Sequence, residues 1–294
     1  MKNSSSPFRS NAMLLLAPAL LFIFIFFVVP LVWCFLLSFM TPGSVEIHAK
    51  NATLANYIHF LTDGFYLKDL LWKTVWLSLG ATIVAIAVGY MGALVITRAP
   101  ENWQSTLIFL VMCPLWVNLV VRTLSLMVLL GRNGPINQVL IYLGITNHSI
   151  QLLYNETAVF IGMVQVSVPF VVISLHGVLK SIGRELEQAA MTVGATAIQA
   201  FLRVTLPLSV PGIMAGGILA LGLNMESFIV PTILGGGRVH FMSAEAYDTA
   251  TVGNNLPFAA AIGMILLIVT LGILAVYRYI AKSMGRISLA LRAA

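Results

Sequence analysis

"LFIFIFFVVPLVWCFLL", Leu21 to Leu37, holds no charged residue and no polar–apolar alternation. A polypeptide that crosses a bilayer must satisfy its backbone hydrogen bonds internally, as an α-helix or a closed β-barrel. Barrel strands alternate lipid-facing and inward-facing residues every second position, and this stretch is continuous, so it reads as a membrane helix. A helix rising 1.5 Å per residue needs about 20 such residues to cross the hydrocarbon. Outward from the quoted stretch the apolar run extends over 12–40, preceded by "MKNSSSPFRSNA". A basic start before an apolar run is also how a signal peptide begins. Here the small "APA" at Ala17 to Ala19 lies inside the apolar stretch, so an uncleaved first helix is expected, with residues 1–11 as a short N-terminal segment.

The 294-residue chain as a whole has the same character, 59% hydrophobic and 9% charged with a mean hydropathy of +0.96. Soluble domains carry about 25% charged residues. Further spans are expected near 74–96, 105–130, 157–178, 210–233 and 257–280, which makes an all-α integral membrane protein of six transmembrane helices and one membrane domain over 12–294. Lys2, Arg9, Arg98, Lys180, Arg184, Arg203, Arg278, Lys282, Arg286 and Arg292 fall on the side of the N-terminus, ten of the sixteen basic residues. The positive-inside bias therefore predicts both termini in the cytoplasm. Glu46, Asp63, Asp69, Glu156, Glu245 and Asp248 fall on the other side, so the net charge of +6 reflects topology. Nucleic-acid binding would need basic residues clustered on a soluble face, and the pattern excludes it. Cys34 and Cys113 lie in spans and need not pair. On the outer side, "GRNGPINQVLIYLG" (131–144) reads as a turn leading into a short amphipathic stretch. "MSAEAYDTATVGNNLP" (242–257) reads as a short helix and a turn.

One segment is too polar for the membrane: "ELEQAAMTVGATAIQAFLRVTLPLSVPG", Glu185 to Gly212, between the fourth and fifth spans. Residues 183–192 are mostly good helix formers with acids in the first turn, where the helix dipole favours them. Gly194 can take the positive φ that ends a helix. "ATAIQAFLRV" restarts one, and Leu206-Pro207 with Pro211 is expected to break it before the next span. The expected product is two short helices at an angle, with small Ala189 and Ala190 allowing close approach and Leu186, Met191, Phe201 and Leu202 as apolar knobs. An ordinary amphipathic loop lying on the membrane is the plainer reading of the same composition.

Within this segment "QAAMTVG", nine residues, then "VTLP" resembles the E-A-A signature of the permease subunits of bacterial binding-protein-dependent ABC importers. Ala189, Ala190, Gly194, Leu206 and Pro207 match its spacing, while Gln188 stands for the family glutamate and Val204 for its isoleucine. Glu187 offers a carboxylate one position earlier, about 100° away on the helix. "KTVWLSLGATIVAIAVGYMGALVITRAP" (73–100), "PLWVNLVVRTLSLMVLLGRNGPINQVL" (114–140) and "ESFIVPTILGGG" (226–237) resemble spans of the spermidine/putrescine-type subgroup. The resemblance implies a type I importer fold in the bacterial inner membrane, paired with a second, homologous permease. Two cytoplasmic ATPase subunits would bind ATP and Mg, and a periplasmic solute-binding protein would deliver the solute. Residues 183–207 would then be the coupling helix segment that contacts the ATPase, and the solute a small cation such as a polyamine. Importers of opine-like amino acid derivatives or phosphonates share the architecture.

No G-x-x-x-x-G-K-[ST] is present, so this chain lacks that device for holding ATP phosphates, and it reads as a transport subunit rather than an enzyme. His48, His59, His148, His176 and His240 show no metal-ligand spacing. Glu226 stands out: 15 residues after Pro211, it lies about 22 Å along a continuous helix, past the midplane. A carboxylate there calls for protein or a water-filled path around it. Arg122, about 27 Å along its own span, is the candidate partner. Ser227 takes the position at which the subgroup often carries an acid. Trp116, Asn118 and Asn224 offer either a cation-π face and hydrogen bonds to a solute or helix-to-helix packing. A self-sufficient secondary transporter or channel, with Glu226 and Arg122 as a relay, is the alternative of another class. It predicts internal repeats, which the two halves do not show, and leaves the polar segment unexplained. A multispan receptor or scaffold shares that weakness.

Overall fold

The computed structural model describes residues 17–41 and 52–293, with side chains through Tyr279. The expected segment 1–11, the first residues of span one, and Glu46 and His48 lie outside the described residues. Among the described residues the protein is helical, built from α1 (Ala17–Leu37), α2 (Ala55–Thr62), α3 (Phe65–Arg98), α4 (Glu101–Trp116), α5 (Leu119–Leu130), α6 (Pro135–Tyr142), α7 (Glu156–Ile182), α8 (Glu185–Thr192), α9 (Ala197–Met225), α10 (Ile229–Gly235), α11 (Met242–Thr251) and α12 (Leu256–Ala293). Six stretches are long and apolar enough to cross a membrane: α1, α3, Leu119–Tyr142, α7, α9 and Leu256–Tyr279. The short elements expected after 131 and 242 are α6 and α11, the first of them within the Leu119–Tyr142 stretch.

Two compact units divide the chain. The smaller includes α1, α2 and the first part of α12. Its joint is polar: buried Asn56 donates from Nδ2 to the carbonyls of Ser38 (2.9 Å) and Met40 (2.8 Å), and the Ser38 and Tyr57 hydroxyls lie 2.6 Å apart. Helix α1 is apolar on every face and leaves Leu20 through Val29 largely uncovered, as suits contact with lipid or another membrane chain.

The larger unit is organised by α3, α7 and α9. Their interfaces carry small residues, which let backbones approach. A Cβ on Gly89 of α3 would stand 2.7 Å from the Val171 side chain of α7, and one on Gly216 of α9 would stand 3.1 Å from the Val171 Cα. Val171 is thus held between two glycines. Around it Ala85, Ala93, Val172, Leu175 and Ala220 are buried, and a second cluster forms from Leu77, Ala81, Val159, Met163, Val230, Leu234 and Phe241.

Three expectations about continuity are corrected. The expected third span, 105–130, is divided between α4 and α5. Pro114 lacks an amide hydrogen and crowds the preceding turn, and the Asn118 side chain accepts from the Val120 amide (2.8 Å), capping a new helix at Leu119. The expected fifth span, 210–233, ends at Met225 and restarts at Ile229. This places Pro231 in the first turn of α10, where backbone amides have no intrahelical partner. The Ser227 carbonyl that Pro231 cannot serve accepts instead from the Ser243 hydroxyl (2.5 Å). Conversely, the break expected at Pro207 and Pro211 is absent: α9 runs unbroken from Ala197. Its turn Phe201–Thr205 is a π turn in which the Leu206 amide reaches back to the Phe201 carbonyl. That wider turn relieves the clash the Pro207 ring would make in a regular helix.

Candidate functional site

Two regions collect the residues singled out in the sequence. The first is the elbow of α8 and the start of α9. Helix α7 ends at Gly183 with φ +69°, and Arg184 donates to the Arg98 carbonyl at the end of α3. Helix α8 follows with Glu185 and Glu187 in its first turn. It stops at Gly194, whose φ is +97°, the conformation expected of it. Thr196 and Gln199 then form a reciprocal capping box that starts α9.

Glu187 fixes this elbow to the helical body. Both of its oxygens accept from Arg98 Nη2 at 3.0 Å, and Oε1 also accepts from the Thr205 hydroxyl. A fully exposed ion pair contributes about 0–1 kcal/mol. The Glu187 side chain is only 20% exposed and has an additional donor, so about 1–3 kcal/mol is the appropriate scale. A single carboxylate on α8 thereby links α3 and α9. Around it lies a cavity of about 540 Å³ lined by residues of α3, α4, α7 and α9, among them Gln104 and Lys180.

The opposite side of the elbow is open. Gln188 and Ala189 are exposed and Ala190 half-exposed. Leu186, Met191 and Leu202 are exposed as expected, but the uncovered apolar residues extend to Val193 (89%) and Ile198 (72%), which sequence reasoning had passed over. Phe201 is corrected from an outward knob to an inward one: its ring packs edge-on against Tyr90 of α3, centroids 5.9 Å apart. Gly194 is exposed, whereas Leu206 and Pro207 are half-buried where α9 enters the helical body.

The second region comprises the breaks between α4 and α5 and between α9 and α10. The expected Glu226–Arg122 pairing is absent. Arg122 donates from Nη1 to the Pro114 carbonyl (3.1 Å), an oxygen that the helix break leaves short of its regular partner. Among the described residues its Nε is buried without a hydrogen-bond partner. With Cys113, Ser125 and Gln165 it lines a cavity of about 410 Å³. Glu226, at the end of α9, is exposed and has no partner among the described residues. Ser227 is half-buried beside it.

Asn224 is fully engaged inside the protein. Its Oδ1 accepts from Ser167 of α7 (2.8 Å) and its Nδ2 donates to Thr82 of α3 (3.1 Å), so it joins the three organising helices. Asn118 is occupied as the cap of α5. Trp116 is exposed, its ring edge-on to Phe109 at 5.3 Å. Of the six path residues suggested by the sequence, Glu226 and Trp116 therefore present free surface, while Asn224, Asn118 and Arg122 are committed to internal hydrogen bonds.

Residues 85–286 of this chain match the family model described as the binding-protein-dependent transport system inner membrane component. Among its relatives is the spermidine/putrescine transport system permease protein PotB of Haemophilus influenzae, 32% identical over 263 residues, which are 89% of this chain and 91% of that protein. PotB of Escherichia coli K12 is 31% identical over 240 residues, 82% of this chain and 86% of the relative. Among solved structures, a chain of a bacterial ABC transporter that imports the acidic polysaccharide alginate superposes with a TM-score of 0.73 at 18% identity, over 94% of this chain and 96% of the other. The same type of transporter, in complex with its alginate pentasaccharide-bound periplasmic protein, gives 0.75 at 18% identity, over 95% of each chain. At that identity the likeness is one of fold.

Proposed function

This chain belongs to the inner-membrane components of binding-protein-dependent transport systems, and from that premise we propose that it is the permease subunit of an ABC importer for a polyamine-like cation. Together with a second, homologous permease it forms the path. A periplasmic binding protein delivers the solute, and two cytoplasmic ATPase subunits, which bind ATP and Mg, drive transport. Both termini then face the cytoplasm, as does the elbow.

The observation that carries this reading is the two-sided elbow. One side of α8 is tied to α3 and α9 through Glu187, and the other presents Gln188, Ala189, Val193 and Ile198 uncovered. A loop serving only to rest on lipid has no need of a hydrogen-bonded ionic tie to two spans. A surface that must pass force from a soluble partner to the helices needs both an open face and a stiff attachment. The match of the segment to the E-A-A spacing supports the same assignment, with Gln188 in place of the family glutamate.

The cationic solute is supported by the PotB relatives and by Glu226, an exposed carboxylate at a break in a spanning helix. Arg122 favours a second reading, an anionic or zwitterionic solute, because its unpartnered Nε lines a cavity together with Gln165. Uptake of labelled spermidine and putrescine, in cells with and without this chain and with opine-like and phosphonate competitors, separates the two. Loss of ATP-dependent polyamine uptake without the chain is expected. Unchanged polyamine uptake would move the assignment to the Arg122 reading.

A further inference from the structure

A third cavity, of about 370 Å³, lies between the loops at the end of the molecule remote from the elbow. It adjoins the start of α7, whose 27 residues place it about 40 Å from α8. Arg132, after α5, and Arg238, after α10, both line it with Gln151 and Tyr154. Both arginines are exposed, and neither has an ion-pair partner among the described residues. Two arginines lining one space give it a positive charge that a bound anion would offset.

The walls of this cavity are built rather than loose. Asn137, fully buried, donates from Nδ2 to the carbonyls of Gly131 and Ile150 (3.0 Å each) and accepts from the Ile150 amide (2.9 Å), stapling two of the loops together. The Tyr154 amide donates to the Leu234 carbonyl (3.0 Å), which adds the third. Tyr154 holds φ at +61°, a conformation uncommon for a bulky residue, and its ring lies where a side chain on Gly236 would stand. Strain of this kind costs about 1–3 kcal/mol and persists where the surroundings over-determine it.

We propose that this cavity receives an acidic side chain of the solute-binding protein, with Arg132 and Arg238 as its two anchors. The proposal rests on the importer reading above. Guanidinium groups bind carboxylates through paired, charge-assisted hydrogen bonds, and preorganised walls reduce the entropy lost on docking. A free polyamine would be repelled by the same pair. A docked carboxylate neutralises it at the moment the cationic solute is handed over, so the charge arrangement favours protein-borne delivery over capture from solution. The other anion available at this height is a lipid phosphate, which the test distinguishes.

The complete importer, with either the parent chain or Arg132→Gln/Arg238→Gln, is reconstituted in nanodiscs of phosphatidylcholine alone and of phosphatidylcholine with phosphatidylglycerol. ATP hydrolysis is followed while the system's substrate-loaded binding protein is titrated. Expected for the double variant is a half-stimulating concentration about tenfold higher in both lipids with a weaker salt dependence, and unchanged basal hydrolysis and subunit co-purification. Superimposed titration curves would overturn the proposal, and a shift confined to the phosphatidylglycerol discs would assign the pair to a lipid headgroup instead. A parent complex that no binding protein stimulates would overturn the importer reading itself, an outcome distinct from either.

Discussion

Helix α9 crosses Pro207 and Pro211 without interruption, whereas the chain breaks beside Pro114 and Pro231. The same residue type gives opposite results because proline removes a hydrogen bond and crowds the preceding turn, and the surroundings decide how both are met. In α9 the π turn accommodates Pro207, and Gly212 and Gly216 seat the helix against Leu175, Val178 and Val171 of α7, so packing sustains it. At the breaks side chains add donors: the Pro114 carbonyl, which keeps the Val117 amide, also accepts from Arg122, and the Ser227 carbonyl that Pro231 cannot serve accepts from Ser243. The continuous helix joins the elbow to Asn224 as one stiff rod. Where the chain does break, Trp116 at the end of α4 and Glu226 at the far end of α9 itself are left uncovered. On the proposed reading, α9 carries transmission along its continuous length and solute contact lies at the break that ends it.

The sharpest way to break this comparison is at the open face of the elbow. Ala190→Glu sets bulk and charge on a surface that should meet the ATPase, and an unpaired charge pressed into a protein interface costs several kcal/mol. Co-purification of the ATPase is expected to be lost with membrane insertion intact; full retention would remove this face from the contact. Next in size is Glu226→Gln. An exposed carboxylate meeting an ammonium is worth about 1 kcal/mol, so the KM for spermidine should rise about fivefold, while Glu245→Gln leaves uptake unchanged. Equal effects of the two would take Glu226 out of the path. The smallest effect belongs to Ser243→Ala, which leaves the Ser227 carbonyl without its side-chain donor. A loss of about 1 kcal/mol should lower the melting temperature by about 2–4 °C with ATPase association unaffected.

Much of the fold was legible because hydropathy and the Gly and Pro punctuation act locally. The apolar runs mark the spans, and Gly194 takes the positive φ that its place after a helix-forming run predicts. What depends on distant partners was not legible. Glu187 meets Arg98 across 89 residues of sequence, and Arg98 had registered only as a topological charge. The expected pairing of Arg122 with Glu226 rested on two continuous spans, and both are interrupted. Phe201 read as one of the apolar knobs of the elbow; its ring instead meets Tyr90 of α3, a partner distant in sequence. The exposure of Val193 and Ile198 had a faint signal, since apolar residues flanking a glycine turn outside the membrane have little core to enter.

The claim at the centre is that Glu187, held by Arg98 and Thr205, makes the elbow and the spanning helices one body through which ATP-driven motion travels. The measurement that tests it most directly is the ratio of polyamine imported to ATP hydrolysed in proteoliposomes, for the parent, Glu187→Arg, Arg98→Glu and the double exchange. Each single variant should still hydrolyse ATP while importing about tenfold less per ATP, and the double exchange, which restores opposite charges, should recover most of the loss. Single variants that import at the parent ratio would contradict the account.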